Sequence, residues 1–499
     1  MQQSTHVGFP CRVMPADGAE ARLLGIYPQR REGMFLQRVK VLGGRVRPGQ
    51  LRGLALLSHR YSGERLLHLT TRQDVEIRGL RPEDVPAVQE GLHGLGLTSV
   101  GACGDTVRNI TVCPDNGFRR GTWDVGAVGE AIYAYAEAIP WVRQLPRKFK
   151  ISLCSCPKHC ARPWTNDIGL AASADGTFQV VMAGSLGSRP NTGLLVYPSL
   201  PVEDVLPLVC AALKLFFEEG DRRVRARARL RHVRERLGDE AFCRRMDELL
   251  SAARDCVAAP VPAMRPVETD TPLAAHLHFP LGDLDPEIGE ELCAEAEAAG
   301  AELRIGLDHD LLVFGPGPLR LPSAVAPFAV GPTLVACPGA ESCSKGIANS
   351  RDAARRIRSV LPSDCDLSIH VSGCPNNCAL SATADVGLIG RIRQEQNVRT
   401  ESFRLMVGGG HGRNPALGRE LHPAVPARDA DRAVAWLFAQ YQQAKAAGRL
   451  SWDQFVERDF SRLSEALSRW LAAQRGEARA DEDLGHRFAL PQPPAEEPR

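Results

Sequence analysis

The stretch Lys150-Ile-Ser-Leu-Cys-Ser-Cys-Pro-Lys-His-Cys160 returns, in altered form, as Leu367-Ser-Ile-His-Val-Ser-Gly-Cys-Pro-Asn-Asn-Cys378. Each reads as a short apolar strand running into Cys-Pro-x-x-Cys. Each is followed by Ala (Ala161, Ala379), by Asp eleven residues after the motif's first cysteine (Asp167, Asp385), and by Gly two residues later (Gly169, Gly387). Upstream of each stands a further strand ending in Cys-Pro, at Cys113 and at Cys337. The match extends further back. Met34 to Val41 alternates as a strand, Arg47 to His59 is helix-like, and Leu66 to Leu69 and Val75 to Ile77 read as two strands. In the second half His276 to Phe279 reads as a strand, Ile288 to Ala299 as a helix, and Glu302 to Ile305 and Leu311 to Phe314 as two strands. Each half is therefore strand–helix–strand–strand followed by a cysteine-bearing α/β part. Such a duplication implies a pseudo-twofold molecule with a site at the junction of its halves.

At 499 residues the chain is too long for one core, and two to four domains are expected. Its 44% hydrophobic and 24% charged residues are ordinary for a soluble protein, and a net charge of +2 names no partner. The amino terminus has no basic segment leading into an apolar run, so no signal peptide is expected. The most apolar stretch, Leu206 to Phe217, is too short to span a bilayer and carries Lys214. A cytoplasmic protein with no membrane partner follows. In a reducing compartment the fifteen cysteines read as metal ligands or core residues rather than disulfides.

The second half spaces its cysteines as Cys337-x5-Cys343, thirty intervening residues, then Cys374-x3-Cys378. Four thiolates suit tetrahedral zinc or an iron–sulfur cluster. The first spacing exceeds the two to four residues usual within a zinc knuckle. A cubane is larger than one ion and takes ligands from two loops, so a cluster is the expectation. Structural zinc and plain core cysteines are the alternatives. Gly339, Gly346 and Gly373 stand near enough to let backbone amides approach sulfur. In the first half Cys113, Cys156 and Cys160 correspond to Cys337, Cys374 and Cys378, but nothing near Phe118 stands for Cys343 unless Cys103 or Cys154 substitutes. That set reads as a relic of the duplication, with a second cluster as the sharper alternative.

Arg38, Arg72 and Arg108 fall on or beside first-half strands. Lys148 and Lys150 alternate with Phe149 on an expected strand beginning at Leu145, so both ammonium groups share a face. A solvated strand edge explains a lone Lys-x-Lys. With three arginines nearby, a small-anion pocket is the better account, since guanidinium forks fix oxyanions and ammonium groups supply charge and protons. Arg222 to Arg236 holds eight arginines on an expected helix, fit to dock an acidic carrier or simply a solvated face. No aromatic residues interleave them, so no nucleic-acid partner is expected. No Gly-x-Gly-x-x-Gly follows a strand, so no nicotinamide or flavin domain is expected and electrons must come from a separate protein.

From about Gly33 to Trp470 the sequence resembles the siroheme-dependent sulfite and nitrite reductases. The resemblance rests on Gly33-Met-Phe-Leu-Gln-Arg38-Val-Lys-Val-Leu-Gly-Gly44, Leu69-Thr-Thr-Arg72-Gln73, Gly104-Asp-Thr-Val-Arg108-Asn-Ile-Thr-Val-Cys-Pro114, Leu145-Pro-Arg-Lys-Phe-Lys150, the second-half cysteines, and Phe403-Arg-Leu-Met-Val-Gly-Gly-Gly410. It implies an α+β fold with pseudo-twofold duplication: two ferredoxin-like half-domains and two mixed α/β siroheme- and cluster-binding domains. The expected divisions are residues 1–105, 106–256, 257–330 (opening with the Ala- and Pro-rich linker Val257 to Pro272), 331–475, and a disordered tail 476–499. It implies siroheme and a [4Fe–4S] cluster held by Cys337, Cys343, Cys374 and Cys378, with Cys378 bridging to the haem iron. Arg38, Arg108, Lys148 and Lys150 would bind the anion. Arg72, Gln73 and Asn109 would hold the siroheme, with Gly408 and Gly409 forming an amide nest near its carboxylates.

The family reaction is a six-electron reduction, with ferredoxin as the usual donor. Plant-type nitrite reductases tend to have Asn where Lys150 stands, so Lys leans toward sulfite as substrate, with nitrite as the alternative. Glu76 stands where Gln is common. Precorrin-3B synthases share the architecture but catalyse an oxygenation, and a non-catalytic siroheme-binding paralogue is a further alternative. The retained Thr71-Arg72-Gln73, Asp105-Thr-Val-Arg-Asn109 and Arg147-Lys-Phe-Lys150 favour the reductase over both.

Overall fold

The computed structural model describes residues 14–15, 18–156, 158–317, 319–329, 332–395, 398–413, 415–448 and 450–474; the tail from Gly476 lies outside them. The chain divides into two compact units, Met1–Gly331 with His411–Pro415, and Pro332–Gly410 with Ala416–Arg499. Among the described residues no helix is long and apolar enough to cross a membrane. The apolar stretch at Leu206 is the amphipathic core helix Val205–Glu219, which buries both Phe216 and Leu213.

The first unit opens with the two expected repeats. Strand Phe35–Val39 pairs antiparallel with Val75–Leu80, which pairs with Leu67–Leu69. Helix Pro48–Tyr61 begins at a proline, whose missing N–H costs nothing in a first turn. It buries Leu51 and Leu54 against that sheet. In the second repeat Leu273–His278 pairs with Asp310–Phe314, and that strand with Glu302–Ile305. Its helix, Pro286–Ala298, is capped by the Asp285 carboxylate, which accepts from the Glu287 amide at 2.8 Å. The two helices pack on each other, and one hydrophobic core runs through both repeats.

Each repeat also lends the other a two-residue strand. Arg45–Val46 joins Glu302–Ile305, and Asp283–Leu284 joins Leu67–Leu69. Each lent strand follows a left-handed glycine, Gly44 (φ 73°) or Gly282 (φ 75°). A Cβ there would stand 2.2 Å from the Ile305 carbonyl oxygen or 2.6 Å from that of Leu69. Only glycine permits so close a reciprocal approach.

The cysteine-bearing parts repeat in topology as well. In the first unit Thr111–Val112, Ile151–Cys154 and Ile168–Ala172 run parallel, and Phe178–Met182 and Leu194–Leu200 complete the sheet antiparallel. In the second unit Leu334–Ala336, Ile369–Ser372, Val386–Glu395, Val398–Val407 and Arg419–Pro426 follow the same order and the same senses. Parallel neighbours require crossovers, and helices Gly126–Ala138 and Ser350–Val360 fill the corresponding places.

Two expectations are corrected here. The segment 145–150 is not a strand. Regular pairing starts at Ile151, preceded by an isolated bridge from Val107 to Phe149. Phe149 is nevertheless fully buried, with a lysine on either side of it at the surface. Arg222 to Arg236 is not one helix either. It is a 3-10 turn, Arg225–Arg227, then a helix, Leu230–Leu237. Most of its arginines are already paired: Arg225 with Asp105 at 2.7 Å, Arg229 with Asp167 at 2.8 Å, Arg234 with Asp239 at 2.7 Å and Arg236 with Glu219 at 3.2 Å. Intramolecular carboxylates thus neutralise the face expected to dock a carrier.

The strand register sets Arg38 directly across from Glu76. The buried Glu76 carboxylate accepts from Arg38 at 2.6 Å and from Arg78 at 2.8 Å. Burial opposes its charge, but Arg78 and Arg38 hold its pKa well below the usual carboxylate range. The lowered folded value means that this stabilisation is present above the unfolded carboxylate pKa and is lost as the pH falls. Glu76→Gln strands two guanidinium groups and should cost about 3 kcal/mol at neutral pH. In urea unfolding the deficit should shrink as the pH falls below about 4, where the native carboxylate begins to take up its proton.

Candidate functional site

Cys337 follows strand Leu334–Ala336, and Cys374 and Cys378 follow strand Ile369–Ser372, so adjacent parallel strands deliver the two cysteine loops side by side. Cys343 ends the short helix Gly339–Ser342. The Gly373 amide donates to Cys337 Sγ at 3.1 Å and the Lys345 amide to Cys343 Sγ at 3.4 Å. Such N–H···S bonds tune cluster sulfurs. Gly339, Gly346 and Gly373 form a backbone-to-backbone seam. A Cβ on Gly346 would lie 2.2 Å from the carbonyl carbon of Gly339, and one on Gly373 would lie 2.5 Å from Gly339 Cα. The glycine expectation therefore holds directly at Gly373, while Gly339 and Gly346 act by closing the loop. Burial and the charge of Cys378 push the Cys337 thiol up to about 12, and burial raises Cys374 too. These thiols need a cation before they ionise. Cys378 is exposed at the edge of the group.

The first half arranges its cysteines differently. Cys113, Cys156 and Cys160 converge with Sγ separations of 3.4, 3.0 and 3.1 Å, beside Cys154. Burial opposes a charge on Cys113. The thiols of Cys154, Cys156 and Cys160 and the Ser155 amide nonetheless direct hydrogen bonds to its sulfur and bring its pKa well below the ordinary thiol range. Neither Cys103 nor Cys154 completes a four-thiol set of the second-half kind. Cys103 instead lies near Arg38 and Arg108, where its charge state bears on both guanidinium groups.

The basic residues of the first unit surround a buried carboxylate that sequence reasoning missed. Asp74 is buried, with Arg38, Arg72, Lys40 and Arg108 as the charges acting on it; burial lifts its pKa to about 6. Arg72 donates to Asn166 Oδ1 at 2.9 Å and to the Asn109 carbonyl at 2.7 Å, and burial lowers its pKa to about 10. Arg108 donates to the carbonyls of Ala102 and Gly104 at 2.6 and 2.9 Å. The Nε atoms of both arginines and Asn109 Oδ1 are buried without a hydrogen-bond partner. Orphan donors in such number invite an anionic ligand. Lys40 is withdrawn into a pair with Glu137 at 3.4 Å, over the Tyr133 ring. Asp74 and Lys40 sit at alternating or adjacent positions in motifs already singled out, so only their burial was invisible.

Three expected ligand groups are otherwise engaged. Gln73 is buried at φ 60°, and its amide binds Val112 at both N–H and C=O and the Ile305 carbonyl, so it locks the turn carrying Arg72. Asn109 Nδ2 donates to the carbonyls of Val41 and Arg72. The amide nest is not formed. The N–H groups of Gly408, Gly409 and Gly410 donate to the carbonyls of Asp385, Ala384 and Ala416, leaving none for a carboxylate. Glu76, tied between two arginines, offsets much of the charge Arg38 brings.

The family profile described as "Nitrite and sulphite reductase 4Fe-4S domain" matches residues 103–253 and 332–459, and "Nitrite/Sulfite reductase ferredoxin-like half domain" matches residues 27–95. The chain is 30% identical to an assimilatory ferredoxin-dependent nitrite reductase of Haloferax mediterranei, over 87% of this chain and 84% of that one. It is 28% identical to the ferredoxin–nitrite reductase of Synechococcus elongatus (80% and 84%) and 26% identical to the chloroplastic one of Spinacia oleracea (83% and 77%). In fold it resembles the NirA protein of Mycobacterium tuberculosis, with a TM-score of 0.73 at 22% identity over 88% of this chain and 89% of that one. These nitrite reductases overturn the expectation of sulfite drawn from Lys150.

Asp74 supplies a test of the electrostatics. Its folded pKa is raised, so its contribution to stability is full below the unfolded carboxylate value and is lost as the pH rises through about 6. Asp74→Asn should therefore leave stability unchanged near pH 4 and raise it by about 2 kcal/mol at pH 8. Thermal unfolding across that range checks the sign.

Proposed function

The chain belongs to the nitrite and sulfite reductase family, and we propose that it reduces nitrite to ammonia with electrons from ferredoxin. The observation that carries this is the paired cysteine loop of the second unit, where adjacent parallel strands deliver four thiols and backbone amides point at sulfur. That donor set fits the family's [4Fe–4S] cluster, with Cys337, Cys343, Cys374 and Cys378 as ligands. The orphan guanidinium nitrogens of Arg72 and Arg108 fit the carboxylates of siroheme and a small anion. Siroheme coupled to the cluster supplies the multi-electron chemistry.

The chain's own residues do the rest. Cys378, the exposed thiol of its set, is the one we assign to siroheme. Arg72, anchored by Asn109 and Asn166, would hold siroheme carboxylates. Arg108 and Arg38 orient the anion by forked hydrogen bonds. Lys148 and Lys150, on either side of buried Phe149, hold protons at Nζ for oxygens that leave as water. Nitrite carries one negative charge, so a pocket whose arginines are partly offset by Glu76 and Asp74 suits it better than a dianion. We place the enzyme in the cytoplasm, where thiolate ligands stay reduced.

Steady-state assay of the anaerobic holoprotein with reduced methyl viologen should give ammonia from nitrite far faster than sulfide from sulfite; the reverse ranking would sink the substrate assignment. Lys148→Ala should lower kcat/KM for nitrite about tenfold or more, the value of one charged hydrogen bond. Cys378→Ser should abolish turnover and the siroheme absorption bands together.

A further inference from the structure

The thiols of Cys113, Cys156 and Cys160 have no role in the reaction above, yet they are the most tightly gathered metal-ligating groups among the described residues. Each Sγ is within 3.4 Å of the other two. One oxygen of Asp115 joins them, and all four donor atoms lie within 4.8 Å of one another. Around zinc, with Zn–S near 2.3 Å, tetrahedral geometry sets ligand sulfurs about 3.8 Å apart. The observed spacing needs only a small outward movement to meet that value. A cubane must hold its thiolates around a multi-atom core, and this knot has no room for one. Among the described residues the four second-half thiols form no group this tight, as suits the larger cofactor.

The carboxylate is poised to ligate. Asp115 Oδ1 is buried without a hydrogen-bond partner, while Oδ2 lies 3.7 Å from Arg119. The donors come from two loops, Cys113-x-Asp115 after strand Thr111–Val112 and Cys156-x3-Cys160 after Ile151–Cys154. The second spacing is that of a zinc knuckle. The Ser155 amide donates to Cys113 Sγ at 3.3 Å, the outer-shell contact that orients a metal thiolate. A mere relic of duplication would leave three buried thiols with only weak S–H···S bonds between them.

We propose that Cys113, Asp115, Cys156 and Cys160 form a mononuclear four-coordinate site for zinc, distinct from the second-half cluster. Sulfur-rich tetrahedral sets select zinc over harder divalent ions. With all four positions filled by protein, the ion is structural. It staples the Cys156–Cys160 loop in the half that carries no cluster.

The test is metal analysis of the anaerobically purified holoenzyme with zinc X-ray absorption. One zinc per chain is expected, with three sulfurs at about 2.3 Å and one oxygen at about 2.0 Å. Cys374→Ser should lose cluster iron and keep the zinc, so this result does not depend on the cluster or on nitrite turnover. Cys156→Ser/Cys160→Ser should lose the zinc. Should that variant not fold, Asp115→Asn serves instead; it should keep the fold and weaken zinc retention against a chromogenic chelator about tenfold or more. Three results would overturn the proposal: substoichiometric zinc, iron beyond the siroheme and one cluster that disappears with Cys156 and Cys160, or an intact mass showing a disulfide among these cysteines.

Discussion

A buried carboxylate fixes the cysteine loops in both halves. Asp167 Oδ2 accepts from the Lys150 amide at 2.8 Å, and Asp385 Oδ2 accepts from the Ser368 amide at 2.8 Å, in each case across seventeen residues. The bond clamps the start of the strand that leads into Cys-Pro-x-x-Cys to the strand that follows it. Gly169 and Gly387 then let that second strand pass under the returning loop, where a Cβ would meet the carbonyl oxygen of Pro163 at 2.4 Å or of Ser381 at 1.8 Å. Left-handed residues match too, His159 with Asn377 and Arg162 with Leu380. The loop is thus held at both ends before any metal arrives, which lowers the ordering cost of binding one.

From that shared frame the halves diverge by side chain alone. In the second, Cys343 on an inserted helical turn and a seam of glycines widen the set to cubane dimensions. In the first, with no cysteine in the place of Cys343, the thiols collapse to within 3.4 Å and recruit a carboxylate. The same backbone therefore presents one set fit for a cluster and one fit for a single ion, since ligand spacing follows the size of what it encloses.

The charged region of the first unit obeys a different constraint. Arg38, Arg72 and Arg108 are largely buried, and each must be paired, hydrogen-bonded or offset. Glu76 and Asp74 supply opposite charge, backbone carbonyls engage Arg72 and Arg108, and the orphan Nε atoms mark where an anion completes the set. Glu76 reads from the sequence as a departure that weakens cofactor binding. Across the strand from Arg38 it is instead the group that lets Arg38 and Arg78 be buried together.

The sequence by itself determined the duplication, the element order and the ligand types, because those rest on periodicity and on residues repeated at fixed spacing. The strands at Phe35–Val39 and Glu302–Ile305 and the helices at Pro48–Tyr61 and Pro286–Ala298 fall where the pattern puts them. Tertiary structure decided whatever depends on who meets whom. It turned the Arg222 to Arg236 segment from a free basic face into one of ion pairs with Asp105, Asp167 and Glu219, all remote in sequence. It filled the amides of Gly408 to Gly410 with carbonyls and buried Asp74 among arginines. It also drew Cys113 against a pair more than forty residues away. Pattern is local and survives in one dimension; distance, burial and charge balance belong to the folded chain.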